Sequence, residues 1–402
     1  MSRVIVSSMT EQYYSGQLVG RVFDGRQLIP AATVSIDQGI VTEITPVEGA
    51  APEYLIVPGF VDVHNHGGAG GSFPTGSAEE CAEAALFHRS RGSTSVLASL
   101  VSAPGDELVA QTAVLADLAE EGGIAGIHLE GPFISSVRCG AQNPEFLSDG
   151  DPALFTDIIA AGRGHLKSIT FAPETPRAEQ LFELCAEHGV VASLGHTNAD
   201  WDTMNAALKR GAAVGARITA THLFNAMPQI HHRDPGAAAA LLAAASQGKA
   251  GLELVADGVH LADGTVDMVG ALAGDGAFAV TDAMSAAGMS DGSYVLGHLG
   301  VTVADGVARL TSGGNIAGGT STLAQQFQRR LSRGDDIATA SAWTSRRAAT
   351  LFGLPGAGYI EAGQTANLAA FALNPQGEIA AGRPEPAFTV AAGNYLTPSL
   401  VQ

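Results

Sequence analysis

Cysteine is nearly absent from this chain: Cys81, Cys139 and Cys185 are the three among 402 residues. They fall in no paired-ligand spacing, which excludes a disulfide-stapled fold and a thiolate metal knot. Basic charge is scarce too, with 21 Lys and Arg against 40 Asp and Glu, giving a formal net charge of −19. Such a field repels polyanions, so neither nucleic acid nor an anionic membrane is expected as partner. It also means that an anionic substrate would need a local basic clamp. Long hydrophobic runs are missing as well. No stretch approaches the ~20 apolar residues of a membrane helix, and the opening MSRVIVSSMTEQYYSG lacks the apolar centre of a secretory signal. A cytoplasmic protein is expected. What the chain does have is a 46% hydrophobic composition rich in Gly and Ala, which suits a packed globular enzyme rather than a disordered chain.

Five apolar runs each end in a residue able to hold a metal or move a proton. They close at His64 and His66 (IVPGFVDVHNH), Glu130 (IAGIHLE), His196 (VVASLGH), His222 (ITATH) and Asp282 (AFAVTD). Short apolar runs bounded by Gly, Pro and Asp read as buried parallel strands. Candidate strands lie near 59–64, 94–101, 124–130, 166–172, 190–195, 217–222, 251–256 and 277–282, with helical stretches such as RAEQLFELCAEHG and WDTMNAALKRG between them. An open doubly wound sheet would show the same alternation. Polar residues gathered at the strand ends favour a closed (β/α)8 TIM-like barrel, whose active site lies at that face.

The flanks have a different texture. Residues 17–57 alternate β-branched residues with Asp-Gly and Asp-Gln-Gly turns, and 355–402 return to short strands in ANLAAFAL and PAFTVAAGNYL. The organisation expected is a small β-sandwich made by 1–57 and 355–402 around a barrel of 58–354. Within the latter, 293–322 reads as a hairpin plus a Gly-rich loop, and 321–352 as a helical tail.

Imidazole and carboxylate donors suit a divalent cation, with zinc the first choice and iron, cobalt or manganese also accommodated. Glu130, His196 and His222 make a three-donor set with open positions, the pattern of a catalytic site. His64 and His66 at i, i+2 face one side of an extended segment. They either complete a second cation position with Glu130 bridging, or shape the floor of a one-metal site. His128 shares the face of Glu130 one layer deeper and reads as a supporting residue. Asp282 can take a proton from an activated water and return it to a leaving group, or serve as a further ligand or helix cap.

The segments PGFVDVHNHGG, HLEGPFI, GHTNAD, THLFNAMPQIHHRDPG, ADGVH and TDAMSAAG run in order along nearly the whole chain. With them the sequence resembles the N-acetylglucosamine-6-phosphate deacetylase family of the amidohydrolase superfamily. The resemblance implies hydrolysis of N-acetyl-D-glucosamine 6-phosphate to D-glucosamine 6-phosphate and acetate. It implies metal binding at Glu130, His196 and His222, with Asp282 as general base and acid. It further implies substrate contacts from Ala141, Asn225, Ala226, His260 and the loop residues Ile316, Ala317 and Gly318. Arg233 matches a phosphate-binding position that in relatives reaches across a homodimer interface. A local clamp of this kind answers the unfavourable global charge.

Where relatives often carry histidine, this chain has Gln142, expected among the substrate-binding residues, which donates a hydrogen bond but holds no charge. Cys139 in the same loop reads as an uncommitted thiol. The nearest alternatives are N-acetylgalactosamine-6-phosphate deacetylation and N-acyl amino-acid deacylation on the same site. A non-catalytic binding barrel would be expected to have lost ligands or the acid of the eighth strand, and this chain keeps both.

Overall fold

The computed structural model describes residues 13–49, 52–380 and 382–400. Eight parallel strands lie side by side in sequence order: Val61–Asn65, Ser95–Leu100, Gly126–Glu130, Leu166–Phe171, Val191–Leu194, Ile218–Ala220, Gly251–Leu254 and Ala277–Ala279. The first and last are joined by a parallel bridge between Asn65 and Ala283, flanked by Asp282 N–H to the His64 carbonyl at 2.9 Å. This closes the barrel. Several strands end two or three residues earlier than the apolar runs suggest, so three of the candidate donors sit just beyond regular backbone.

The helices between strands start and stop on local signals. Ser77 and Glu80 form a reciprocal capping box at the head of Ala78–Ser90, and Asp200 caps Trp201–Ala213 through Thr203 N–H. Helix Ala178–His188 ends at Gly189, whose φ of 67° belongs to the left-handed region that glycine enters without a Cβ clash. Its buried face, Leu181, Phe182 and Cys185, packs into a core shared with Phe155, Phe171 and Leu208. Each fully buried Leu or Phe there contributes roughly 1.5–3 kcal/mol. Among the described residues no helix is long and apolar enough to cross a membrane.

Strands from both ends of the chain meet in one seven-stranded sheet, with Tyr54–Pro58 hydrogen-bonded to both Gly16–Phe23 and Leu368–Ala372. The sheet folds over on itself. Val34 and Ile36 share a buried cluster with Phe388 and Val390, and Tyr14 N–H reaches the Gly393 carbonyl at 2.8 Å.

The segment expected as a hairpin and loop is larger than that. Gly292–Leu296, Leu299–Ala304, Val307–Leu310 and Ile316–Gly318 form a four-stranded antiparallel sheet over the barrel mouth side, and its last strand is hidden in the Gly-rich stretch. Helix Leu323–Ser332 follows, and Gln326 ties it to the barrel by bonding Val280 O and Ala256 N.

Candidate metal centre and substrate pocket

Six donor side chains converge where the barrel strands end. His64 and Glu130 lie in strands and His66 directly follows one, while His196, His222 and Asp282 lie beyond theirs. The last three have φ values of 45°, 26° and 49°. A non-glycine residue in the left-handed region costs about 1–3 kcal/mol and persists where surrounding structure enforces it, commonly at functional sites. Here the turned backbone aims each side chain back over the barrel axis.

Two groups result. Glu130, His196 and His222 form one, His64, His66 and Asp282 the other, and within each group the donor atoms lie within 4.8 Å of one another. Glu130 joins them. Its Oε1 is 3.0 Å from Nε2 of both His196 and His222 and 3.4 Å from His64 Nε2, and its Oε2 is 3.3 Å from His66 Nε2. Asp282 Oδ1 stands 3.4 Å from His64 and 3.3 Å from His66.

The outer ring nitrogens of His66 and His196 are tied down behind this cluster, while His222 Nδ1 is buried without a hydrogen-bond partner among the described residues. His66 Nδ1 donates to Ser99 O at 3.1 Å and His196 Nδ1 to Arg138 O at 3.0 Å. Carbonyls accept only, so both rings present an Nε2 lone pair to the site. His64 and His66 then bring Nε2 atoms to 3.1 Å, as do His196 and His222. A ring hydrogen on one partner or a cation held by both nitrogens would satisfy each pair. The donor set therefore fits one or two divalent cations.

The electrostatics agree. Burial works against a proton on His64, yet Glu130 and Asp282 outweigh it and hold that imidazole well above its ordinary range. Burial works against ionised Glu130 and Asp282 too, and the surrounding imidazoles reverse this and keep both carboxyls below theirs. The carboxylates and imidazoles at the centre thus hold positive charge among them, which a bound cation would supply in place of protons. His128 is the opposite case. Burial, with His64 beside it, holds it well below the usual histidine range, and both its nitrogens are used by Ser99 and Thr170 at 2.9 Å. It is a supporting residue of the barrel interior, as its depth in the strand suggests.

The centre floors a cleft of about 380 Å³. Ala141, Asn225, Ala226 and His260 line it, and Ile316, Ala317 and Gly318 close it from the four-stranded sheet. His260 is fixed by Asp257 at 2.8 Å and has Nε2 3.9 Å from Asp282 Oδ2. Gln142 is 3% exposed and committed at both ends: its Nε2 donates to Glu130 Oε2 at 2.6 Å and its Oε1 accepts Ser102 N–H at 2.7 Å. Arg233 is not among the lining residues. It is exposed, with Nη1 2.8 Å from His232 Nε2, and among the described residues no carboxylate lies within ion-pair distance of it. Sequence reasoning missed Arg138 and Asn315 in the lining, and it missed Glu253, buried beneath with Oε2 3.1 Å from His64 Nδ1. The signal for Glu253 was a carboxylate inside an otherwise apolar strand, GLEL. Cys139, between the lining residues Arg138 and Gly140, is a half-buried free thiol.

The chain was compared with known proteins. The sequence model of the amidohydrolase family matches residues 55–396. An N-acetylglucosamine-6-phosphate deacetylase of Lysinibacillus sphaericus is 35% identical over 276 residues, 67% of this chain and 69% of that protein. An N-acetylgalactosamine-6-phosphate deacetylase of Escherichia coli is 32% identical over 295 residues, 72% of this chain and 76% of its own length. Among solved structures, a mutant N-acetyl-D-glucosamine-6-phosphate deacetylase of Mycobacterium smegmatis in complex with N-acetyl-D-glucosamine-6-phosphate superposes with a TM-score of 0.86 at 34% identity. That match covers 95% of this chain and 99% of the other. With its closed barrel, its donors at the strand ends and these matches, the chain belongs to the amidohydrolase family, alongside the N-acetylglucosamine-6-phosphate deacetylases.

Proposed function

We propose that this protein hydrolyses N-acetyl-D-glucosamine 6-phosphate to D-glucosamine 6-phosphate and acetate, the activity for which its relatives are named. The observation that carries the reading is the position of Asp282, at the cleft floor opposite the Glu130, His196 and His222 trio. When bound to that trio, a divalent cation, zinc being our first choice, supplies the Lewis acidity that acidifies a water and polarises an acetyl carbonyl. Asp282, held ionised, takes the proton of the attacking water and passes it to the departing sugar amine. His260, whose Nδ1–H donates to Asp257, turns Nε2 to the cleft, where the protonated ring donates a hydrogen bond to the substrate. Gln142 lines the cleft and holds Oε2 of Glu130 through one amide hydrogen, leaving the second for the substrate.

Asn225 and Ala226 flank the sugar, with the strand Ile316–Gly318 closing over it. The phosphate end is incomplete within one chain, since Arg233 is exposed and does not line its own cleft. A homodimer in which Arg233 of the partner subunit reaches the cleft completes it. A phosphorylated substrate of this kind fits a cytoplasmic site.

Acetate release from the phosphosugar by metal-replete protein, lost with a chelator and restored by added cation, tests the reading. No release under those conditions rejects it. The relative from Escherichia coli favours a second substrate, N-acetylgalactosamine 6-phosphate. The ratio of kcat/KM for the two epimers decides between them.

A further inference from the structure

Beneath the metal donors the barrel interior is polar, and its polar groups form one unbroken hydrogen-bonded chain. Asn65 N–H meets Ser99 Oγ at 2.8 Å, and Ser99 Oγ meets His128 Nδ1 at 2.9 Å. His128 Nε2 meets Thr170 Oγ1 at 2.9 Å, which meets Thr221 Oγ1 at 2.8 Å. Thr221 Oγ1 meets Ser193 Oγ at 2.6 Å, Ser193 Oγ meets Glu253 Oε1 at 3.3 Å, and Glu253 Oε2 meets His64 Nδ1 at 3.1 Å. Every side chain in it is 0% or 1% exposed. A polar group buried so deeply is costly unless each link is made.

The direction of the chain is fixed at its ends. A backbone N–H can only donate, a carboxylate can only accept, and each hydroxyl between them has one hydrogen to give. The donor sense therefore runs from Asn65 through Ser99, His128, Thr170, Thr221 and Ser193 to Glu253. Glu253 also accepts the backbone N–H of His222 at 3.3 Å. Its bond to His64 must then come from a hydrogen on Nδ1, which leaves the Nε2 lone pair facing His66 and Asp282.

We infer that Glu253 is a positioning residue that creates the second cation position, His64 with His66 and Asp282, by fixing the tautomer of His64. The hydroxyl chain ending at Ser193 holds Glu253 in that role. This rests on the two-cation form of the function proposed above. Carboxylate partners of ligating histidines orient the ring and raise its basicity, and losing one lowers metal affinity about 10–100-fold. Glu253→Gln reverses the logic further, because its amide can donate to Nδ1 and force the hydrogen onto Nε2.

The test counts cations per chain and titrates zinc or manganese into wild type, Glu253→Gln, Ser193→Ala and His64→Ala, with circular dichroism to confirm the fold. The expected result is two cations in wild type. In Glu253→Gln the second affinity falls about 10–100-fold while the first is unchanged, and Ser193→Ala shows a smaller fall in the same direction. His64→Ala loses the second position outright. A wild type that saturates at one cation overturns the inference, and so does Glu253→Gln holding both with unchanged affinity. Should Glu253→Gln fail to fold, unchanged second-cation affinity in Ser193→Ala overturns it instead. Acetate release is read on the same wild-type sample. Turnover with a single cation sinks this inference and spares the proposed function, whereas two cations without turnover does the reverse.

Discussion

The floor of the cleft and its rim are built in different ways. On the floor, donor side chains are almost wholly buried, and most of their outer atoms are tied to a carbonyl, a hydroxyl or a carboxylate. At the rim, Arg233 is exposed and outside its own cleft, and Arg138 is held only through Nε by Asn198 at 2.9 Å. In the proposed function a single chain supplies the groups that act on the acetamide, while Arg233 for the phosphate comes from a partner subunit. Substitutions on the floor should therefore act on turnover, and those at the rim on affinity.

The largest effect falls on the floor. Asp282→Asn preserves shape and removes the proton carrier, so kcat drops about 10²–10⁴-fold with the cation at Glu130, His196 and His222 and the melting temperature little changed. Steady-state kinetics on metal-quantified protein checks it, and ordinary turnover there would take Asp282 out of the mechanism. At the rim, Arg233→Ala removes a charge-assisted contact worth about 1.5–3 kcal/mol, which raises KM for the phosphosugar about 10–100-fold. KM for unphosphorylated N-acetylglucosamine stays put. If the two substrates respond alike, the division between floor and rim is wrong.

A third substitution asks whether the floor's acids are ionised because of their neighbours and not because of the fold at large. Glu385 is a buried carboxyl far from the centre in sequence, bonded only weakly by Thr322 Oγ1 at 3.3 Å. Burial pushes it up to about 7, with Arg91 and Thr322 offsetting part of the rise. Glu130 is buried more deeply still and moves the other way, because imidazoles surround it. For Glu385 the folded value exceeds the unfolded one, so the native state binds more protons between about pH 4.5 and 7 and loses stability as pH rises through that window. Glu385→Gln should match wild type near pH 4 and exceed it by about 2–3 kcal/mol above pH 7. Denaturant midpoints at both pH values give the answer, and an equal gap at each would refute the cause assigned.

Much of the floor was legible in the sequence because metal donors close apolar strands, and both the strand count and the donor positions follow from that pattern. Three features were not. The left-handed turns at His196, His222 and Asp282 are held by tertiary contacts, since no local residue preference calls for them. The chain through Ser193, Thr221 and Glu253 needs neighbouring strands in register before its links exist. The last strand of the four-stranded sheet, Ile316–Gly318, lies in a Gly-rich stretch that reads as loop, because its pairing with Val307–Leu310 is what makes it a strand.

The smallest effect belongs to His260, which links floor and rim. Burial works against its proton, but the hydrogen bond it donates to Asp257 and the charge of Asp282 outweigh it, so its pKa lies above the ordinary 6.5. A group with a raised folded value keeps its proton below 6.5 and sheds it as pH climbs through the folded value. The protonated ring is the better donor to an anionic substrate. KM for the phosphosugar should therefore rise several-fold on the alkaline side, while His260→Asn, which donates without titrating, gives a flatter KM profile. If the alkaline rise survives in His260→Asn, the titrating group lies elsewhere, and His260 belongs with the rigid floor.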